Sequence, residues 1–206
     1  MMQLLYAPTS PFVRKVMVCA HLGGQAEQIQ WLDSAAHPIR RDARIAQHNP
    51  LAKVPTLIPE NGQALFDSRT ICEYLAATGN APNLFPPAGP DRWRALSLQS
   101  LGDGLMDAAL LARYETVARP AEVQWPEWRN AQLGKVAACL DAIEGEAPSL
   151  HVESPTIGDV TIGCALGYLD FRFPELKWRD LRPAAARWNE SFQALPAMIA
   201  TRPHDA

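Results

Sequence analysis

Four prolines fall between Asn80 and Pro90, at 82, 86, 87 and 90. Proline at that density cannot continue a helix and makes a stiff connector. It divides the chain into two parts that follow different patterns. Before it, strand and helix signals alternate. After it, every periodic segment is helical. The sequence therefore predicts an α/β domain over residues 1–79, a proline-rich linker over 80–90, and an all-helical domain over 91–206.

In the first part, Gln3–Tyr6 is an apolar strand segment, and Pro11–Leu22 places Val13, Val16, Met17 and Ala20 on one helical face. Gly23-Gly24 ends that helix. Glu27–Leu32 alternates as a strand does, and Arg40–Gln47 forms a short helix. Val54–Ile58 and Ala64–Phe66 read as a hairpin turning at Glu60-Asn61-Gly62, followed by a helix over Asp67–Thr78 that Gly79 closes. The order β-α-β-α-β-β-α resembles the thioredoxin-like layout. In the second part, Asp91–Arg119 carries Trp93, Leu96, Leu101, Leu105 and Leu110 in its apolar face. Glu127–Glu144 shows Leu133, Val136, Ala137, Leu140 and Ile143 at helical spacing. Thr156–Phe171 is apolar nearly all round, as a centrally buried helix must be. Pro183–Leu195 and Met198–Thr201 complete the helical domain.

At 206 residues, 48% hydrophobic and 20% charged, the chain has the material for two small domains. A net charge of −3 gives no electrostatic footprint for DNA or RNA. No histidine or cysteine cluster has metal-ligand spacing, so no metal is expected. The four cysteines, Cys19, Cys72, Cys139 and Cys164, contain no C-x-x-C and fall within apolar helical patterns. Reduced, buried thiols are expected, and hence a cytoplasmic location. The N-terminus lacks a signal-peptide pattern, and no apolar run approaches the ~20 residues needed to span a bilayer, so no membrane partner is expected.

Three segments carry chemistry. Ser10 sits at an N-cap position and Pro11 at the first helical position, where a missing N–H costs nothing. The free N–H groups and positive dipole end of that helix favour an anion, such as a thiolate, beside the hydroxyl. Arg14 and Lys15 read as a solvated helix face. In Asn49-Pro50-Leu51-Ala52-Lys53-Val54-Pro55 the proline precedes a strand. A cis Val54-Pro55 peptide would turn the Val54 N–H and C=O outward to pair with an extended peptide. In Phe66-Asp67-Ser68, a strand ends at an acid and a hydroxyl that opens a helix. Asp67 suits an ammonium, and Ser68 with the first N–H groups suits a carboxylate. Together the segments describe one extended ligand with a thiol, a peptide backbone and an amino-acid headgroup. Glutathione has that shape.

On these motifs the chain resembles the cytosolic glutathione transferases over nearly its whole length. The motifs are S-P-F-V-R-K at 10–15, N-P-L-A-K-V-P at 49–55 and F-D-S-R-T-I-C-E-Y-L at 66–75. Thr156-Ile157-Gly158-Asp159 is similar to the family's capping box before its core helix. The resemblance is to bacterial members with a serine at the start of the first helix. It implies a thioredoxin-like domain followed by an all-α domain, and a cytosolic homodimer. Glutathione would be co-substrate and a small electrophile its partner, in conjugation or, as a side activity, peroxide reduction. It assigns Ser10 to the sulfur, Val54 to the backbone clamp, and Asp67 with Ser68 to the γ-glutamyl group. Pro55, Thr156 and Asp159 are structural. Thr9 adjoins Ser10, and either hydroxyl is open to the catalytic role, with Ser10 preferred because it precedes Pro11. Asp103, in Gly102-Asp103-Gly104, matches the segment from which some relatives reach across a dimer interface, or is a solvated helix residue. Phe12, Met106, Leu110 and Arg113 are expected to line an electrophile cleft between domains. The active position holds no cysteine, which argues against thiol-disulfide exchange through the protein's own thiol. Two other readings remain: a non-catalytic binding protein like stringent starvation protein A, and a glutathione-dependent isomerase.

Overall fold

Leu4 and Leu5 are both almost fully buried, although they point to opposite faces of a strand, because β1 (Met2–Tyr6) is the centre of its sheet. The computed structural model describes residues 1–205. On one side β1 pairs in parallel with β2 (Ile29–Asp33), from Met2 opposite Ile29 to Tyr6 opposite Asp33. On the other it pairs antiparallel with β3 (Thr56–Ile58), with Leu5 opposite Thr56 and Gln3 opposite Ile58. The expected strand over 64–66 shrinks to one bridge, in which Leu57 and Leu65 exchange both N–H···O bonds at 3.0 and 2.7 Å. β3 starts at Thr56 rather than Val54 and stops before Pro59, since neither Pro55 nor Pro59 has an N–H to donate to a ladder.

Three helices attach to this sheet: α1 (Pro11–Leu22), α2 (Ala43–His48) and α3 (Ser68–Thr78), with α3 packed against α1. Arg14 and Lys15 are not a solvated face. They are 5% and 0% exposed. For Arg14 one reason lies at the other end of the chain. The tail expected to finish the helical domain instead packs on α1 as a short helix, Pro196–Ala200, where the Arg14 Nη2 donates to the Met198 carbonyl at 3.1 Å. Met1–Gly89 and the segment from Pro196 onward thus form one compact unit, and Pro90–Leu195 forms the other.

The second unit is built from α4 (Pro90–Val117), α5 (Pro126–Glu146), α6 (Ile157–Arg172) and α7 (Pro183–Gln193); the short tail helix is α8. Every residue of α6 from Ile157 through Leu169 is buried. Its main neighbour is α4, and glycines set how near the two come. A Cβ at Gly158 would lie 2.6 Å from the Leu98 Cβ, and one at Gly102 would lie 2.8 Å from the Thr161 Cγ2. Both pairings advance in the same direction, so α4 and α6 run parallel. The buried stripe of α4 is therefore Ala95, Leu98, Gly102, Leu105, Ala109 and Ala112. Trp93, expected in that stripe, is 64% exposed, because small residues rather than bulky ones form the α4–α6 seam; Ala137, expected on the apolar face of α5, is exposed as well.

The start of α6 has the expected capping box. Asp159, fully buried, accepts from the Thr156 N–H at 2.8 Å, the Thr156 hydroxyl at 2.7 Å and the His151 N–H at 2.9 Å. Among the described residues no helix is long and apolar enough to cross a membrane. Cys19, Cys72 and Cys164 are buried thiols and Cys139 is a half-buried one, which burial pushes up in pKa.

Candidate functional site

Strand register alone places the three predicted segments along one edge of the first unit. β1 runs toward Tyr6 and exits into the loop that ends at Ser10. Because β3 is antiparallel to β1, with Thr56 opposite Leu5, its entry at Val54-Pro55 lies beside that exit. The bridge between Leu57 and Leu65 sends the chain back in the direction of β1, so Asp67 and Ser68 emerge at the same edge. Two strand spacings, about 9–10 Å, separate the β1 exit from the Asp67 turn. An extended tripeptide spans roughly 10 Å.

At the β1 exit, Ser10 is the N-cap of α1. Its Oγ accepts from the Val13 N–H at 3.3 Å, and its own N–H donates to the Ala7 carbonyl at 3.0 Å. The cap uses a lone pair of Oγ, so the hydroxyl hydrogen is left to donate to an acceptor in front of the helix. Thr9 is half-buried in the same turn.

The Val54-Pro55 peptide is cis, as is Phe66-Asp67, and Pro55 is buried. The Val54 N–H and C=O make no hydrogen bond with another described residue. What holds them there is Asn49, which sequence reasoning passed over. Asn49 is 1% exposed. Its Nδ2 donates to the Lys53 carbonyl at 3.2 Å and the Thr56 hydroxyl at 2.9 Å, and its Oδ1 accepts from the Leu51 N–H at 2.9 Å. The Thr56 hydroxyl also donates to the Lys53 carbonyl at 2.9 Å. This clasp closes a loop in which Ala52 adopts φ +52°. The only signal in the sequence was the Asn-Pro pair that opens the motif.

At the third segment, Asp67 rather than Ser68 caps α3, with Oδ1 accepting from the Arg69 N–H at 2.9 Å. The rest of this exposed carboxylate faces outward. Ser68 is 3% exposed, and its hydroxyl bonds no other described residue. The edge therefore carries a hydroxyl at a helix N-terminus, an unpaired backbone N–H and C=O, and an acid–hydroxyl pair at a second helix N-terminus.

In the helical unit, Met106, Leu110 and Arg113 share one face of α4. Met106 is fully buried and backs that face, while Leu110 and Arg113 are half-buried. Phe12, half-buried, belongs to α1 in the first unit. Asp103 is 2% exposed, so it is not a solvated residue. Among the described residues, no group of three or more His, Cys, Asp or Glu side chains is arranged to hold a metal ion.

A thioredoxin-like sheet unit followed by a helical unit with a capped core helix defines the glutathione transferase fold. The chain belongs to that family. Residues 9–78 match the model of the glutathione S-transferase N-terminal domain, and residues 126–190 that of the C-terminal domain. The chain is 34% identical to the uncharacterized GST-like protein YibF of Escherichia coli (strain K12), over the full length of both. A glutathione transferase family member from Pseudomonas fluorescens Pf-5, crystallised with bound glutathione, superposes with a TM-score of 0.93 at 41% identity, covering all of both chains. A structure from the same species with bound S-(propanoic acid)-glutathione superposes at 0.90 with 40% identity, covering 98% of this chain and 100% of that one.

Proposed function

We propose that the protein is a glutathione transferase that binds reduced glutathione along the sheet edge and transfers it to an electrophile carrying a carboxylate. The observation that carries the reading is the set of unbonded groups on that edge: the Ser10 hydroxyl hydrogen, the Val54 N–H and C=O, and the Ser68 hydroxyl. Each matches one part of the tripeptide. Val54 pairs with the cysteinyl backbone. Asp67 takes the α-ammonium and Ser68 the α-carboxylate of the γ-glutamyl group. Ser10 donates to the sulfur.

A free thiol of this kind has a pKa of about 8.5 and is mostly protonated at neutral pH. A hydroxyl donor and a helix N-terminus both favour the thiolate. Lowering the pKa by about two units takes ~2.7 kcal/mol, which those two contacts supply between them. The relative with bound S-(propanoic acid)-glutathione supports an acceptor that bears a carboxylate. The protein acts as a homodimer in a reducing cytoplasm, in keeping with its thiols.

Calorimetry with reduced glutathione should show one site per chain. Replacing both Asp67 and Ser68 with alanine should weaken binding by ~2–4 kcal/mol as charge-assisted bonds are lost. Unchanged affinity in that double variant would reject the assignment.

A further inference from the structure

Trp31 sits on the edge strand β2 with its side chain largely exposed, and it stacks on Tyr6 with ring centroids 4.6 Å apart and planes within 5°. The register explains the pair. Trp31 lies opposite Leu4, and Tyr6 follows Leu4 by two residues, so both rings stand on one face of the sheet. Arg14, Met17 and His21 form one stripe of α1, at i, i+3 and i+7. With the two rings and with Thr201, just past α8, they line a cavity. Trp31 and Ala200, both exposed, mark its opening to solvent. Every lining residue belongs to the first unit. Ser10, Val54, Asp67 and Ser68 are not among them, so the cavity is distinct from the proposed glutathione edge. Water-sized groups have ≈ 20 Å³ for their centres inside it. A single water needs ~10–15 Å³, so a two-oxygen group has room.

The lining is rich in donors. Arg14 is 5% exposed. Its Nη2 donates to the Met198 carbonyl at 3.1 Å, while its Nε is buried with no hydrogen-bond partner. A buried N–H left in that state is costly unless a ligand takes the bond. The Tyr6 hydroxyl and the His21 ring bond no other described residue. Burial raises the Tyr6 pKa, so at neutral pH the hydroxyl keeps its proton and can donate. His21 can donate from whichever ring nitrogen carries the proton. Thr201 adds no free donor, because its hydroxyl already donates to the Ala197 carbonyl at 2.8 Å. Among the described residues that line the cavity none is acidic. A guanidinium with a spare N–H, two further donors and an aromatic–thioether wall complement a carboxylate borne on an apolar group.

We propose that this cavity is a second binding site, for a small monocarboxylate whose charged end meets Arg14 and whose apolar part lies against Met17 and Trp31. It stands independently of the transferase reading, since it shares none of the four groups on which that reading depends.

The test uses the full chain with benzoate and benzamide, which have nearly the same shape and differ in charge. Calorimetry should show benzoate binding at about 10 mM or below, and about tenfold or more tighter than benzamide. Arg14→Gln should erase the preference. Arg14 is buried and its replacement can cost stability, so a second variant acts from the surface: Ala200→Phe fills the opening and should weaken benzoate about tenfold or more, with urea unfolding confirming the fold. His21→Ala should weaken it several-fold. The double replacement of Asp67 and Ser68 by alanine should leave it unchanged. No binding of benzoate at that concentration, equal binding of benzamide, a preference untouched by Arg14→Gln in a folded protein, or an affinity untouched by Ala200→Phe would overturn the site. Benzoate binding that is lost in the Asp67 and Ser68 double variant but kept in Ala200→Phe would place the acid at the γ-glutamyl position, rejecting the cavity while favouring the glutathione edge.

Discussion

Replacing Ser10 with alanine separates activation of the sulfur from binding of the tripeptide. The side chain has two roles in the proposed complex, and both are lost. As N-cap of α1 it accepts one bond at 3.3 Å, which is long. Its loss should cost stability toward the low end of the usual range for caps, ~0.5–1 kcal/mol. As donor to the thiolate it provides one charge-assisted bond, about 1.5–3 kcal/mol. At 1.36 kcal/mol per pKa unit, that raises the bound thiol by roughly one to two units. Turnover should therefore fall about 10- to 100-fold at pH values below the wild-type bound thiol's pKa. The two enzymes should converge as pH rises above both values, since each then holds the thiolate. A defect of folding would lower activity at every pH and show no such convergence. Glutathione affinity should change little near or below neutral pH. The thiolate absorbance of bound glutathione at the ultraviolet edge gives the titration directly, with Thr9→Ala as control. If Thr9→Ala raises the titration point and Ser10→Ala does not, the hydroxyl is misassigned by one residue. If neither moves it, the helix N-terminus alone activates the sulfur and the reasoning about Ser10 is wrong.

Asn49→Ala should open the 49–56 clasp, lowering stability by ~2 kcal/mol or more and weakening glutathione binding about tenfold, with the thiolate titration point unmoved; urea unfolding and calorimetry read the two effects. Asp159→Ala strands three donors at the start of α6 and should cost ~3 kcal/mol or more in urea unfolding. Tyr168 supplies a pH test. Its folded pKa is raised from 10.0 to about 12, so the folded state holds the proton longer than the unfolded chain does. Stability should be level in this respect below about pH 10 and fall by roughly 2–3 kcal/mol as pH rises toward 12. Tyr168→Phe should remove most of that decline, and a wild type without it would show that the hydroxyl is not held neutral by burial.

Local signals carried the fold far. Proline positions, capping residues and the glycines after α1 and α3 state where elements begin and end, because each acts on its own backbone. The features that escaped depend on residues distant in the chain. Arg14 and Lys15 look solvated from their neighbours alone. Arg14 is bonded by the return of residues from Pro196 onward to α1, and no periodicity encodes that return. Trp93 was placed in the apolar stripe of α4 on its hydrophobicity. The true stripe is rotated because glycine and alanine let α6 approach closely, which is a property of two helices rather than one. The 64–66 strand failed as regular structure because a proline at either end of β3 leaves ladder length for one bridge.

The candidate site was legible for a related reason. Its residues come from three separated motifs, yet each motif is a chain exit or entry at a strand end, and pairing direction fixes which end that is. Once β3 is antiparallel to β1, Val54 must lie near Ser10; once the Leu57–Leu65 bridge reverses the chain again, Asp67 must follow on the same edge. Asn49 was missed because it contacts no ligand in this scheme and works through Lys53 and Thr56. The glycines that let α4 and α6 approach, Gly102 and Gly158, are a property of the helix pair that neither helix shows alone: enlarging either to leucine should drive a side chain into Thr161 or Leu98 and lower stability in urea unfolding.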